Sequence, residues 1–424
     1  MQILMEKIIA QSNRTAPHPL IYTLPNGMRV VSQHCESDII YCGFLVDVGT
    51  RDEETHEHGM AHYVEHMLFK GTQKRSARQI INSIESIGGE LNAYTTKEET
   101  AIYGACMKED FKRIVELLYD MVFDSVFAEN ERKKELSVIC DEIESYNDSP
   151  SELIFDDFES LIYGEHTLGN AILGSKESIS SFTSDTLSAF HRKHYTPERI
   201  VFFLQGDVPY PHIEHTLQTL LQKYTPHPVS GYKRQGVDRM NRRLQQEFDK
   251  ETHQTHFVCG GQAYSLHEPE RLGLYLLNNI LGGPGMNSRL NLALREKSGL
   301  VYTVESLYIP LSDTGYWEVY FGCDPENVTR CEHLVKTELY RLCTTPITPQ
   351  ALKRYKRQIK GQMAIAAQNT ENNALGMGKS ILRMGQFEPW QETYRKIETF
   401  TAEQLQNIAQ HIYHSDNINT LKYV

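Results

Sequence analysis

The segment HEHGMAHYVEHMLFKGT, residues 56–72, sets two imidazoles and a carboxylate at helical spacing. Gly59 and Gly71 bracket a run of good helix formers, so the pattern predicts a helix over 60–70 with Gly71 at its C-terminal cap. At about 100° per residue, His62 and His66 stand roughly 40° apart around the axis and one turn apart along it. Both imidazoles can therefore reach one ion. Glu65 lies beside His66, close enough to touch a water on that ion while staying off it. Two imidazoles next to a carboxylate suit a tetrahedral Zn²⁺ site that keeps one position open for chemistry.

A catalytic zinc needs a third protein ligand. The stretch ENERKKELSVICDEIESY, residues 129–146, reads as a helix on which Glu135 and Glu142 share a face, seven residues apart. Either carboxylate suits the role, and spacing does not choose between them. The plainer alternative is an ordinary solvated helix face, with His56 and His58 adding to a His-rich region.

The elements that must position these groups belong to a chain of 424 residues, longer than a single domain of roughly 100–200 residues. A formal charge of −12 repels phosphate backbones, so nucleic acid is not an expected partner. The apolar stretches fall far short of the ~20 residues that cross a bilayer, and the N-terminus lacks a signal-peptide core. No membrane association is expected. Eight scattered cysteines without a C-x-x-C pair predict reduced thiols and a cytoplasmic location.

The run QKYTPHPVSGYKRQG, residues 222–236, reads as a connection between halves. The expected division is 1–222, a linker over 223–244, and 245–424. FTSDTLSAFHRKHYTPERI (182–200) and FTAEQLQNIAQHIYHSDNI (400–418) match without a gap; in each a Thr followed by an acidic residue opens a helical pattern as an N-cap would, and an apolar strand-like run follows. Internal duplication is the reading they support. Strand-like runs at 41–48, 100–106, 200–204, 255–259 and 315–322 alternate with amphipathic helices, which predicts an α+β fold: two homologous sandwich domains of mainly antiparallel sheet with packed helices.

HGMAHYVEHMLFKGT resembles the signature of the pitrilysin/insulinase-type zinc metallopeptidases, the inverzincins, whose H-x-x-E-H reverses the commoner H-E-x-x-H. Further segments stand in that family's order: LPNGMRVV (24–31), FLVDVGTRDE (44–53), GGELNAYTTKEETAIY (88–103), ELSVICDEIE (135–144) and GGPGMNSRLNLALREKSGLVYTV (282–304). The resemblance runs from about Tyr22 to the C-terminus and is to short-chain bacterial members similar to mitochondrial processing peptidase. It implies that His62, His66 and Glu142 are zinc ligands, that Glu65 is the general base, and that Glu135 orients a ligand or supports the transition state. It also implies that Asn92, Ala93 and Tyr94 pair with substrate as an added strand, and that Arg295 and Tyr302 of the second half contact the substrate.

The second half has no H-x-x-E-H, so one Zn²⁺ per chain is expected. The family builds a clamshell chamber from four such units. Two units per chain imply half a chamber and hence a dimer, a homodimer being simpler than a heterodimer because this chain keeps both the ligands and the Arg–Tyr pair. Peptides or unfolded segments are the implied substrates, with basic ones favoured by the charge of −12. A structural or assembly subunit of the same fold, and a metal-binding protein using His56, His58, His62 and His66, are the competing readings.

Overall fold

Apolar alternation along the chain resolves into the strands of two sheets in the computed structural model, which describes residues 19–222, 224, 234–237 and 243–424. The first sheet holds β1 (Leu20–Thr23), β2 (Arg29–Gln33), β3 (Ile39–Val46), β4 (Glu90–Thr95), β5 (Thr100–Met107) and β6 (Ile200–Gln205), in the order β1-β2-β6-β3-β5-β4. The second holds β7 (Gln245–Phe248), β8 (Thr255–Gln262), β9 (Val301–Pro310), β10 (Gly315–Cys323) and β11 (Asn419–Tyr423), in the order β7-β11-β8-β10-β9. Each sheet is antiparallel except at one seam, where its last strand slides in parallel beside an early one: β6 beside β2, and β11 beside β7.

The two sequence-similar stretches occupy equivalent places in this topology. Thr183 caps the helix Ser184–His194 by accepting from the Thr186 N–H, and Thr401 caps Ala402–Ile412 by accepting from that of Gln404. Each capped helix leads through a short 3₁₀ turn into the strand that fills the parallel seam. The mixed α+β architecture and its repeated topology agree with the expectation from the sequence.

Both faces of each sheet are covered, which explains why β6 (IVFFLQ) is apolar without alternation and wholly buried. In the first unit, one face packs on Met60–Leu68, Phe111–Phe123 and Ser184–His194 around Phe44, Tyr63, Phe111 and Phe202. Its other face meets a helix from late in the chain, Thr370–Met384, through Val31, Leu45, Phe203, Met377 and Ile381. A Cβ on Gly378 would come within 2.6 Å of Leu45 Cδ1, so glycine there lets that helix lie flat on the sheet. In the second unit the reciprocal position is taken by Pro150–Tyr163, whose Ile154, Phe158 and Ile162 cover Val258, Tyr316 and Leu421.

Compactness accordingly groups residues up to Ile143 with Ile172–Arg234 and Ala366–Glu388, and Glu144–Ala171 with Gln235–Ile365 and Pro389–Val424. All strands of the first sheet precede residue 223 and all of the second follow 244. Most of the linker expected at 223–244 lies outside the described residues. Arg234, which is described, binds the first unit through Asp47 and Asp52. All eight cysteines are unbonded. Among the described residues, no helix is long and apolar enough to cross a membrane.

Candidate metal centre

The helix expected over 60–70 runs from Met60 to Leu68. It ends two residues early because the Phe69 and Lys70 N–H groups donate to the His66 and Met67 carbonyls in a tightened turn. Tyr63, Val64, Met67 and Leu68 are fully buried and fix the helix to the core. At its start Gly59 adopts φ +90°, and a Cβ there would come within 2.8 Å of Gly174 Cα. Since glycine has no capping side chain, the buried carboxylate of Glu53 serves instead, accepting the N–H groups of Gly59 at 3.0 Å and Ala61 at 2.8 Å.

The opposite side of this helix carries His62, Glu65 and His66. Their partner helix, Glu129–Asn147, presents Glu142 and Glu135 one above the other. Glu142 Oε2 lies 3.4 Å from His66 Nε2 and 3.9 Å from His62 Nε2, and the two rings are 4.5 Å apart between centroids. Among the described residues these three side chains form the group of metal-ligating atoms that converges within 4.8 Å. Tetrahedral zinc with bonds near 2.0–2.2 Å separates its ligand atoms by about 3.3 Å, so the donor set fits the ion and leaves a fourth position. His56 and His58 are not part of the converging group.

Glu135 takes a different place from Glu142. Its Oε1 is 2.8 Å from His66 Nδ1 and its Oε2 is 2.6 Å from Lys70 Nζ. A carboxylate on Nδ1 fixes the ring's orientation and leaves Nε2 as the donor. Glu65, also buried, accepts from the Thr95 hydroxyl at 2.7 Å. Burial raises its carboxyl above the usual range, while the Thr95 bond and His66 pull it back down, with a net upward shift. Lys70, Thr95 and Glu53 were not singled out by the sequence. Lys70 follows His66 by one helical turn, and Thr95 stands two residues after Ala93 on the same strand face; those spacings are the signals that point to these two, and Glu53 has no such signal.

The two imidazoles titrate in opposite directions. Burial, with the nearby His66, takes His62 down to about 4. Burial also pulls on His66, but hydrogen bonds to Glu135 and Glu142 and the charge of Glu65 outweigh it and lift His66 to about 9. Without metal, His66 therefore holds a proton at neutral pH that a metal ion must displace. Its raised value stabilises the metal-free fold fully below about 6.5 and loses that contribution as the pH rises through about 9. Zinc binding at pH 7 is expected to release about one proton, with apparent affinity rising about tenfold per pH unit until it flattens near pH 9. Titration calorimetry in buffers of different ionisation enthalpy measures this, and heats independent of buffer would refute it.

The remaining expected residues lie on three elements, one in the first unit and two in the second. Among the described residues β4 is an edge strand, paired only with β5, through Asn92↔Tyr103, Ala93↔Ile102 and Tyr94↔Ala101. Alternation puts Ala93 and Thr95 on the face of the His62 helix, and Asn92 and Tyr94 on the other. Tyr94 packs against Tyr103, and its hydroxyl reaches Glu99 Oε1 at 3.4 Å. In the second unit, Arg295 ends a helical turn (Asn291–Glu296) and lies 5.4 Å over the ring of Tyr302, which stands on β9 and is 83% exposed.

Residues 29–176 match the sequence model described as Insulinase (Peptidase family M16), and residues 181–359 match the Peptidase M16 inactive domain. An uncharacterized zinc protease of Bacillus subtilis is 31% identical over 93% of this chain and 96% of its own length. Another, from Mycobacterium tuberculosis, is 31% identical over 92% and 90%. A protease from Helicobacter pylori, at 20% identity, superposes with a TM-score of 0.91 over 96% of this chain and all of its own. An M16 inactive domain from Pseudomonas fluorescens gives 0.88 at 19% identity, over 96% of this chain and 97% of its own.

Proposed function

Because the chain belongs to the M16 family of peptidases, we propose that it is a zinc-dependent endopeptidase acting on peptides or unfolded segments, with one Zn²⁺ per chain. The observation that carries this reading is the convergence of His62, His66 and Glu142 beside a buried Glu65. Zinc bound by these residues would polarise the scissile carbonyl and lower the pKa of water at the open position. The chain's own groups do the rest. Glu65, lifted by burial and steadied by Thr95, accepts the proton of the attacking water and hands it to the leaving amine. Glu135 holds His66 with its donor nitrogen facing Glu142 and His62.

The edge of β4, free among the described residues, offers unpaired backbone groups to an extended peptide, with Asn92, Ala93 and Tyr94 as the pairing residues. That mode of binding tolerates many sequences. Arg295 and the exposed Tyr302 of the second unit are the further substrate contacts in this reading. Two chains form the chamber, as a homodimer, and the unbonded cysteines support a reducing compartment such as the cytoplasm.

Incubating purified chain with an internally quenched peptide, with and without a chelator, tests the proposal. Chelator-sensitive cleavage that returns on adding zinc is expected. Stoichiometric zinc without cleavage would indicate a metal-binding protein, and neither would indicate an assembly subunit. Solution mass measured alongside should be about twice that of one chain; an active monomer would remove the chamber from the proposal.

A further inference from the structure

The turn Thr96–Glu99 follows Thr95 directly and is gripped from three distant parts of the chain. Arg51 donates to Glu98 Oε1 at 2.6 Å with both side chains buried, and Arg234 donates to the Glu98 carbonyl at 2.8 Å. Thr370–Met384, the late helix on this sheet, supplies two more cations. Lys379 Nζ lies 2.8 Å from Glu99 Oε1, and Arg383 reaches Glu99 Oε2 at 2.8 Å from 284 residues away in sequence. The Glu99 side chain is fully buried, and Lys379 also lies 4.9 Å over the ring of Tyr94.

β4 is therefore bound on both faces near its end: Thr95 to Glu65 on one, Tyr94 and Glu99 to the late helix on the other. In the second unit the corresponding helix, Pro150–Tyr163, is tied instead by Tyr316 and Tyr423 hydroxyls donating to Glu159 and Asp157. The doubly cationic clamp thus belongs to the unit that carries the metal centre. We infer that Lys379 and Arg383 are positioning residues for peptide hydrolysis, holding the edge strand β4 and Thr95 in place through Glu99. This rests on the peptidase reading. An edge strand has a neighbour on one side only, so it presents a fixed row of N–H and C=O groups to a peptide only if something else stops it twisting away. Two cations closing a buried carboxylate do this, and removing either leaves that charge undercompensated.

Arg383→Met is expected to raise KM roughly tenfold for a peptide long enough to lie along β4, with a smaller change in kcat and zinc still at one per chain. Arg383→Lys should recover most of the loss. Lys379→Met should move KM in the same direction and decides the matter if Arg383→Met does not fold. Lys336→Met, which removes a partly exposed ion pair with Glu332, serves as the unaffected control. Amide hydrogen exchange reads the clamp without reference to activity: residues 91–95 should exchange about tenfold faster in Arg383→Met, while β3 stays unchanged. If the parent chain cleaves no peptide, faster exchange over 91–95 would retain the clamp while the peptidase reading falls. A folded Arg383→Met or Lys379→Met with unchanged exchange there, or with KM within about twofold of the parent, overturns the inference.

Discussion

Glu65→Gln is expected to lower kcat by about 10²- to 10⁴-fold while leaving one zinc per chain. The substitution keeps the side chain's shape, and its amide oxygen can still accept from the Thr95 hydroxyl that now reaches Glu65 at 2.7 Å. What it removes is the ability to take up a proton. Glu65 is outside the converging group of His62, His66 and Glu142, so metal content should not follow activity down. Metal analysis on the same preparation used for peptide kinetics separates the two quantities. A variant with normal kcat would end the assignment of Glu65 as general base, and one that loses zinc would place Glu65 on the metal instead.

The second large effect distinguishes the two carboxylates of Glu129–Asn147. Glu142→Ala is expected to abolish stoichiometric zinc and, with it, cleavage, because it removes one of three converging donors. Glu135→Gln should retain the site but weaken metal affinity by about 10- to 100-fold, since its contact is with His66 Nδ1 rather than with the ligand atoms. It would also leave Lys70 facing a neutral amide in place of the partner now 2.6 Å from its ammonium. Competition against a chelator of known affinity ranks the variants. The reverse order, with Glu135→Gln losing zinc and Glu142→Ala keeping it, would exchange the proposed roles.

The donor spacing was legible because helical geometry is local: a His–x–x–x–His pair must share a face once the segment is helical, and the core residues Tyr63, Val64 and Met67 make it so. The paired Thr-capped helices were legible for the same reason, since a cap is made within four residues. Spacing found Glu135 and Glu142 but did not tell them apart, because their order on one face says nothing about which end of an imidazole each will meet; only the family resemblance singled out Glu142 as the ligand. Thr95, Lys70 and Glu53 escaped notice because a hydroxyl, a lysine and a glutamate are ordinary at those positions until another element arrives beside them.

The exchange of Pro150–Tyr163 and Thr370–Met384 between the two sheets was beyond sequence pattern altogether. Amphipathic periodicity states that one face of a helix will be buried; it does not name the surface that buries it.

By itself, then, the sequence determined an α+β chain with a duplicated plan and a helix bearing two imidazoles and a carboxylate on one side. Only the tertiary structure decided that Glu142 meets both Nε2 atoms, that Glu135 holds Nδ1, and that cations from residue 379 onward close Glu99 beside the centre. The division follows from range. Helical phase and capping act over a few residues and are written directly in the chain, whereas buried ion pairs join residues whose proximity exists only after the sheets and helices have packed.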